Sequence, residues 1–135
     1  MALDWTEDLA AQARAADVDL GKVDLVLAAE CVWLQELVQP FVSTVLGVLE
    51  AAGAARAAHV QEAACAPASH PPVCYCCYRD RAKETSVTFA GMAMVVEAFE
   101  STGCVVVLEK RLRPLEQAFL GGGGGDILLY RIQLK

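Results

Sequence analysis

The stretch Val23-Asp24-Leu25-Val26-Leu27-Ala28-Ala29, followed at once by Glu30-Cys31-Val32-Trp33, decides the fold. Apart from Asp24, its first part is an unbroken apolar run. A strand with one solvated face alternates apolar and polar side chains. A continuous run instead predicts a central parallel strand covered on both faces. An acidic residue and an indole then stand just beyond its carboxyl end. In open α/β sheets, ligands bind at that end.

Downstream, Leu34, Leu37, Val38, Phe41, Val42, Val45, Leu46 and Leu49 recur at helical spacing and form one apolar stripe. Pro40 is tolerable only near a first turn, so the helix is expected to start around Glu36. Gly53 is its expected stop. Residues 54–72 are rich in Ala and Pro and read as a loop or insertion. Val73 to Tyr78 is a second buried strand. Glu84 to Thr102 is expected to be a second helix, with Phe89, Met92, Val96 and Phe99 on one face and Gly103 ending it. Cys104 to Leu108 forms a third strand. Asp126 to Leu134 forms a fourth, with Ile127, Leu129 and Arg131 alternating against Leu128, Tyr130 and Ile132.

Residues 112–125 connect the last two strands and contain the glycine run Gly121 to Gly125. A phosphate-cradling loop needs a strand before it and a helix after it. This run precedes a strand, so it reads as a flexible connector. The order is strand, helix, strand, helix, strand, loop, strand. Two parallel crossovers are followed by an antiparallel pair. The expected fold is α/β: half of a doubly wound sheet with a reversed strand near its far edge, in one domain spanning residues 1–135.

Composition narrows the function classes. The chain has 135 residues, 56% of them hydrophobic, a mean hydropathy of +0.38, a net charge of -6 and a pI near 4.8. That apolar content argues against disorder. Basic residues cluster only at Arg79 to Lys83 and Lys110 to Arg113, so no nucleic-acid partner is expected. The best membrane candidate, Leu37 to Ala52, is interrupted by Gln39, Pro40 and Glu50. It falls short of the roughly 18 apolar residues a span requires. Asp4, Glu7 and Asp8 do not fit the basic start of a secretory signal. A cytoplasmic or nuclear protein with no membrane partner is expected. The cysteines, Cys31, Cys65, Cys74, Cys76, Cys77 and Cys104, are then expected as free thiols. Cys74 and Cys77 form a C-x-x-C, but within a strand they point to opposite faces, so no metal site is expected.

Three segments resemble the seven-strand, S-adenosylmethionine-dependent methyltransferases of the protein-lysine methyltransferase-like type. Leu3-Asp4-Trp5 is similar to the family's Leu-Asp-Trp motif, which follows its third strand. Val23 through Trp33 is similar to its fourth strand and the Asp-x-x-Tyr motif after it. Tyr78-Arg79-Asp80-Arg81, followed by Phe89, is similar to the region after the next strand. The resemblance implies the C-terminal half of a Rossmann-like methyltransferase sheet, truncated before the glycine-rich cofactor loop, with weak or no activity in this chain alone.

It also implies roles. Trp5 would contact the adenine end of S-adenosyl-L-methionine, and Ala29 would line the cofactor pocket. Glu30 matches the family's motif Asp, and Trp33 its Tyr; both are candidate catalytic residues. A carboxylate can orient or help deprotonate an amine. An aromatic wall can hold an ammonium by cation–π attraction. The substitutions matter: Glu reaches one methylene farther than Asp, and an indole N–H donates but cannot accept. The implied partner is a protein substrate bearing a lysine; the alternatives are small-molecule amines as substrates, or a non-catalytic remnant that acts as an interaction module. The edge left open beside the Val23 strand implies self-association.

Overall fold

A computed structural model describes residues 4–62, 70–79, 88–112 and 126–135. In chain order the elements are α1 (Leu9–Ala15), β1 (Leu25–Ala29), α2 (Val38–Glu62), β2 (Val73–Arg79), α3 (Met92–Ser101), β3 (Cys104–Leu112) and β4 (Ile127–Leu134). Short 3-10 turns at Leu20–Lys22 and Gln35–Leu37 precede β1 and α2. The strands form one open mixed sheet in the order β1-β2-β4-β3. β1 runs parallel to β2, and β4 runs antiparallel to both β2 and β3. The chain is therefore α/β, with the antiparallel β3–β4 pair in place. The last strand is inserted between β2 and β3 rather than added at the edge.

The strand periodicity of two sorts side chains between the faces. Ala28, Cys74, Cys76, Tyr78, Leu128 and Ile132 are buried with Phe41, Val42, Val45 and Leu49 of α2 and Met92, Val95 and Phe99 of α3. On β1 the alternate positions are open: Leu25 is 47% exposed and Leu27 73%. The expectation of a strand covered on both faces is therefore met on one face only among the described residues. Among the described residues β1 stands at one edge of the sheet, the edge expected to be left open.

Several element boundaries move for local reasons. α1 was not anticipated, because its sequence LAAQARA carries no apolar stripe and buries only Ala13. Its start is nevertheless set by Asp8, whose side chain accepts from the Ala11 N–H. α2 does not stop at Gly53 but continues to Glu62, so residues 54–62 of the expected insertion are helical. The alanines around Gly53 are the best helix formers, and together they outweigh a glycine cost of about 1 kcal/mol. Residues 63–69 lie outside the described residues.

The longer α2 also changes the membrane arithmetic. Gln35–His59 is long and apolar enough, by length and composition, to cross a membrane. Here Val38, Phe41, Val42, Val45, Leu49 and Ala52 of that segment lie in the protein core. Gly21 lets the turn before β1 lie against α2, since a Cβ there would stand 2.8 Å from the Ala55 Cβ.

The second expected helix begins at Met92, not Glu84, with Gly91 as its N-cap residue; residues 80–87 lie outside the described residues. Phe89 belongs instead to an isolated antiparallel bridge with Leu34. The helix ends at Gly103, whose φ of 86° suits glycine. β3 runs to Leu112, past the expected Leu108, with a register irregularity between Leu108 and Lys110. The Gly121–Gly125 connector lies outside the described residues.

Cys74, Cys76 and Cys104 are buried, and Cys31 and Cys77 are partly so; all five are free thiols. Burial, reinforced by neighbouring thiols, pushes Cys74 and Cys76 up to about 12. These two should resist thiol reagents in the native state at pH 8 and react on unfolding. A thiol whose pKa is raised by folding favours the native state fully below its unfolded value, and loses that contribution as pH rises toward its folded value. Stability should therefore be flat near neutrality and fall between pH 9 and 12, by up to about 1.4 kcal/mol per pH unit per thiol. Urea midpoints measured across that range check this. Ile132 is fully buried at the centre of the sheet. Ile132→Val should cost about 0.5–1.5 kcal/mol and Ile132→Ala about 2–5 kcal/mol in the same assay.

Candidate functional site at the carboxyl ends of β1 and β2

A cleft of about 510 Å³ opens where the two parallel strands end, lined by Glu30, Val32, Trp33, Tyr78, Arg79, Phe89 and Ala90. Its first wall is the turn out of β1. Glu30 sits in the left-handed region, with φ of 53°. That conformation costs a non-glycine residue roughly 1–2 kcal/mol. Two hydrogen bonds to β2 oppose the cost. The Glu30 N–H donates to the Cys77 carbonyl at 2.9 Å, and the Glu30 Oε1 accepts from the Arg79 N–H at 2.5 Å. The carboxyl group is thus tied to the last residue of β2. Strain of this kind, held by specific bonds, is a feature of functional sites.

The second wall is a backbone clamp between the segment before α2 and the segment before α3. The Gln35 N–H donates to the Thr88 carbonyl, and the Ala90 N–H to the Trp33 carbonyl, both at 3.0 Å. The Gln35 Nε2 donates to the Phe89 carbonyl at 3.3 Å. From below, the buried Tyr78 hydroxyl donates to the Ala90 carbonyl. The clamp brings the Trp33 and Phe89 rings to a centroid distance of 6.3 Å at an interplanar angle of 28°. Both remain about half exposed, Trp33 at 56% and Phe89 at 50%. Large aromatics usually bury most of their surface, so an exposed pair beside a carboxylate is unusual.

This arrangement can attract a small organic cation. Aromatic faces contribute roughly 0.5–1 kcal/mol to such binding when exposed, and about 2 kcal/mol when dry. The Glu30 carboxylate adds negative charge at the same wall, while Arg79 sets a positive limit on one side.

Of the residues singled out in the sequence, the structure brings Glu30 and Trp33 together in the cleft. It does not bring Ala29 or Trp5 there. Ala29 ends the exposed edge strand β1. Trp5 packs on Phe41, with ring centroids 5.4 Å apart, and Phe41 stands 5.8 Å from Phe99. Trp5 thus begins an aromatic chain running into the core. Tyr78, Arg79 and Phe89 line the cleft but were not singled out as site residues. Tyr78 and Phe89 carry signals that a strand and a helix stripe explain equally well. The Leu34–Phe89 bridge, a contact between distant segments, reveals the role of Phe89, and the hydroxyl bond to Ala90 that of Tyr78.

Among the described residues, no group of three or more His, Cys, Asp or Glu side chains is arranged to hold a metal ion. Cys74 is buried in the core, whereas Cys77 lies on the opposite face of β2 and is partly exposed. No protein-family model matches the chain, and no curated protein matches it in sequence.

The clamp's dependence on Tyr78 is testable. Tyr78→Phe leaves the Ala90 carbonyl without this donor, and Ala90 is fully buried. A loss of about 1–3 kcal/mol in urea unfolding is expected. Trp33 emission, read in a Trp5→Phe background, should shift toward the red as the clamp loosens.

Proposed function

We propose that this chain carries the methyl-acceptor side of an S-adenosylmethionine-dependent N-methyltransferase, and that its cleft receives the side-chain amine of a protein lysine. The observation that carries the reading is the joint placement of Glu30, Trp33 and Phe89 around one cleft at the carboxyl ends of two parallel strands. The reversed strand β4, inserted near the far edge of the sheet, supports it as well. The resemblance in motifs implies both features, and a Rossmann-like half-sheet is part of the proposal.

The roles follow from the chemistry of each group. Trp33 and Phe89 offer faces to the ammonium and to the alkyl stem of lysine. Glu30 attracts the ammonium and provides an acceptor for the proton that the amine must lose before it can attack. The Arg79 N–H fixes the direction of that carboxylate, so less orientation has to be acquired on binding.

S-adenosyl-L-methionine, when bound, supplies an activated methyl group. The described residues do not fit it. Ala29 lies on an exposed strand end and Trp5 against Phe41, and neither lines the cleft. The glycine run at 121–125 precedes a strand, the wrong order for a phosphate- or ribose-side loop. Only the acceptor side is therefore assigned to these residues.

Two titrations test the reading. Calorimetry with S-adenosyl-L-methionine should show no saturable binding in the micromolar range; micromolar affinity would overturn the assignment of the acceptor side alone. A lysine-containing peptide should bind in an NMR titration and shift the Trp33 indole signal. Glu30→Gln keeps the acceptor for Arg79 but removes the charge. It should leave stability within about 0.5 kcal/mol and weaken peptide binding about three- to ten-fold. Trp33→Ala should weaken binding about two- to five-fold. Equal binding by wild type and both variants would contradict the assignment.

A further inference from the structure

The clamp that shapes the cleft also occupies its acceptors. The Trp33 carbonyl accepts from the Ala90 N–H, and the Ala90 carbonyl from the Tyr78 hydroxyl. The Phe89 carbonyl accepts from Gln35 Nε2 at 3.3 Å. The Thr88 carbonyl, one residue earlier, accepts from the Gln35 N–H. On the facing wall, Glu30 is bound to β2 twice: its N–H donates to the Cys77 carbonyl, and its Oε1 accepts from the Arg79 N–H. Two more groups of the lining cannot accept at all, because an indole N–H and a guanidinium are donors only. The rest of the described lining is apolar: the Trp33 and Phe89 rings, and the buried Val32 and Ala90.

This lining treats two forms of a lysine side chain differently. The ammonium and its trimethylated form carry the same single positive charge. Glu30 and Arg79 act on that charge alike in both, so charge does not separate them. The difference lies in the N–H donors. The ammonium is a compact, strongly hydrated ion with three of them. On entering the cleft it exchanges water for oxygens that each hold a hydrogen bond already. A donor stripped of water and left without a full partner is costly.

The trimethylated head has no donor to satisfy. It presents three methyl groups to the aromatic faces and keeps its positive charge, the combination that cation–π recognition favours. A cation gains from a ring when it lies within about 6 Å of the ring centroid. The Trp33 and Phe89 centroids are 6.3 Å apart, so one head can reach both. Both rings are about half exposed and therefore accessible. The cleft, at about 510 Å³, has room for the bulkier head with its alkyl stem.

We propose that the cleft is a recognition site for trimethylated lysine, which it holds more tightly than the unmodified side chain. The inference rests on the reading of the cleft as an amine site and sharpens it. The described residues match the product of lysine methylation better than its substrate. The chain then acts by recognising a methylated segment of another protein rather than by turning one over.

The test uses the whole chain and three capped peptides, acetyl-Ala-X-Ala-amide. X is lysine, trimethyl-lysine, or the neutral isostere with a tert-butyl group in place of the trimethylammonium. Binding is followed by NMR at the Trp33 indole signal. The trimethylated peptide should bind about three- to ten-fold more tightly than the lysine peptide, roughly the worth of one hydrogen bond. The isostere should bind about two- to five-fold more weakly than the trimethylated peptide. Phe89→Leu keeps an apolar side chain and leaves the backbone clamp in place. It should reduce the preference for the trimethylated peptide over the isostere. A lysine peptide that binds as tightly as the trimethylated one, or more tightly, would overturn the inference and leave the amine reading standing. An isostere equal to the trimethylated peptide would overturn it too, since the cleft would then be an apolar slot. So would an unchanged preference in Phe89→Leu. Binding by none of the three would overturn both readings.

Discussion

The parallel pairing of β1 with β2 is the constraint from which the rest of the structure follows. It joins Leu25–Ala29 to Val73–Cys77 in register and so requires α2 to cross back over the sheet. That crossing buries Phe41, Val42, Val45 and Leu49 against Ala28, Cys74 and Cys76. It also ends both strands at the same height. Glu30 then bonds through its backbone to Cys77 and through its carboxylate to Arg79. The cleft exists because two strand ends and two following segments meet there. Its acidic wall is fixed by the same ladder that holds the core.

The two faces of the sheet have different fates. The helix-facing side is closed by α2 and α3, with Phe99, Met92 and Ile132 essentially inaccessible to solvent. The other side presents Leu25 and Leu27 to solvent. An apolar run such as Val23–Ala29 satisfies both faces only when both are covered.

The fold was largely legible because strand signals here are long and apolar, and Gly103 marks a true helix end. The termination of α2 was misread because Gly53 lies among alanines, and propensity summed over the segment outweighs one residue. The place of β4 was not fixed by pattern alone. An antiparallel hairpin and an inserted strand have the same alternation, and only long-range pairing separates them. In the site, Glu30 and Trp33 stood out by position after the strand. Phe89 was hidden because its spacing to Met92 and Val96 also suits a helix. Trp5 and Ala29 carry implied roles that depend on contacts no local pattern encodes.

The central claim is that Trp33, Phe89 and Glu30 form one amine-receiving cleft. Intermolecular nuclear Overhauser effects between a lysine-containing peptide and the protein test it most directly. The account predicts cross-peaks from the lysine ε-methylene protons to the rings of both Trp33 and Phe89, lost when the lysine is replaced by norleucine. Cross-peaks to Trp5 instead, or equal cross-peaks from the norleucine peptide, would contradict it.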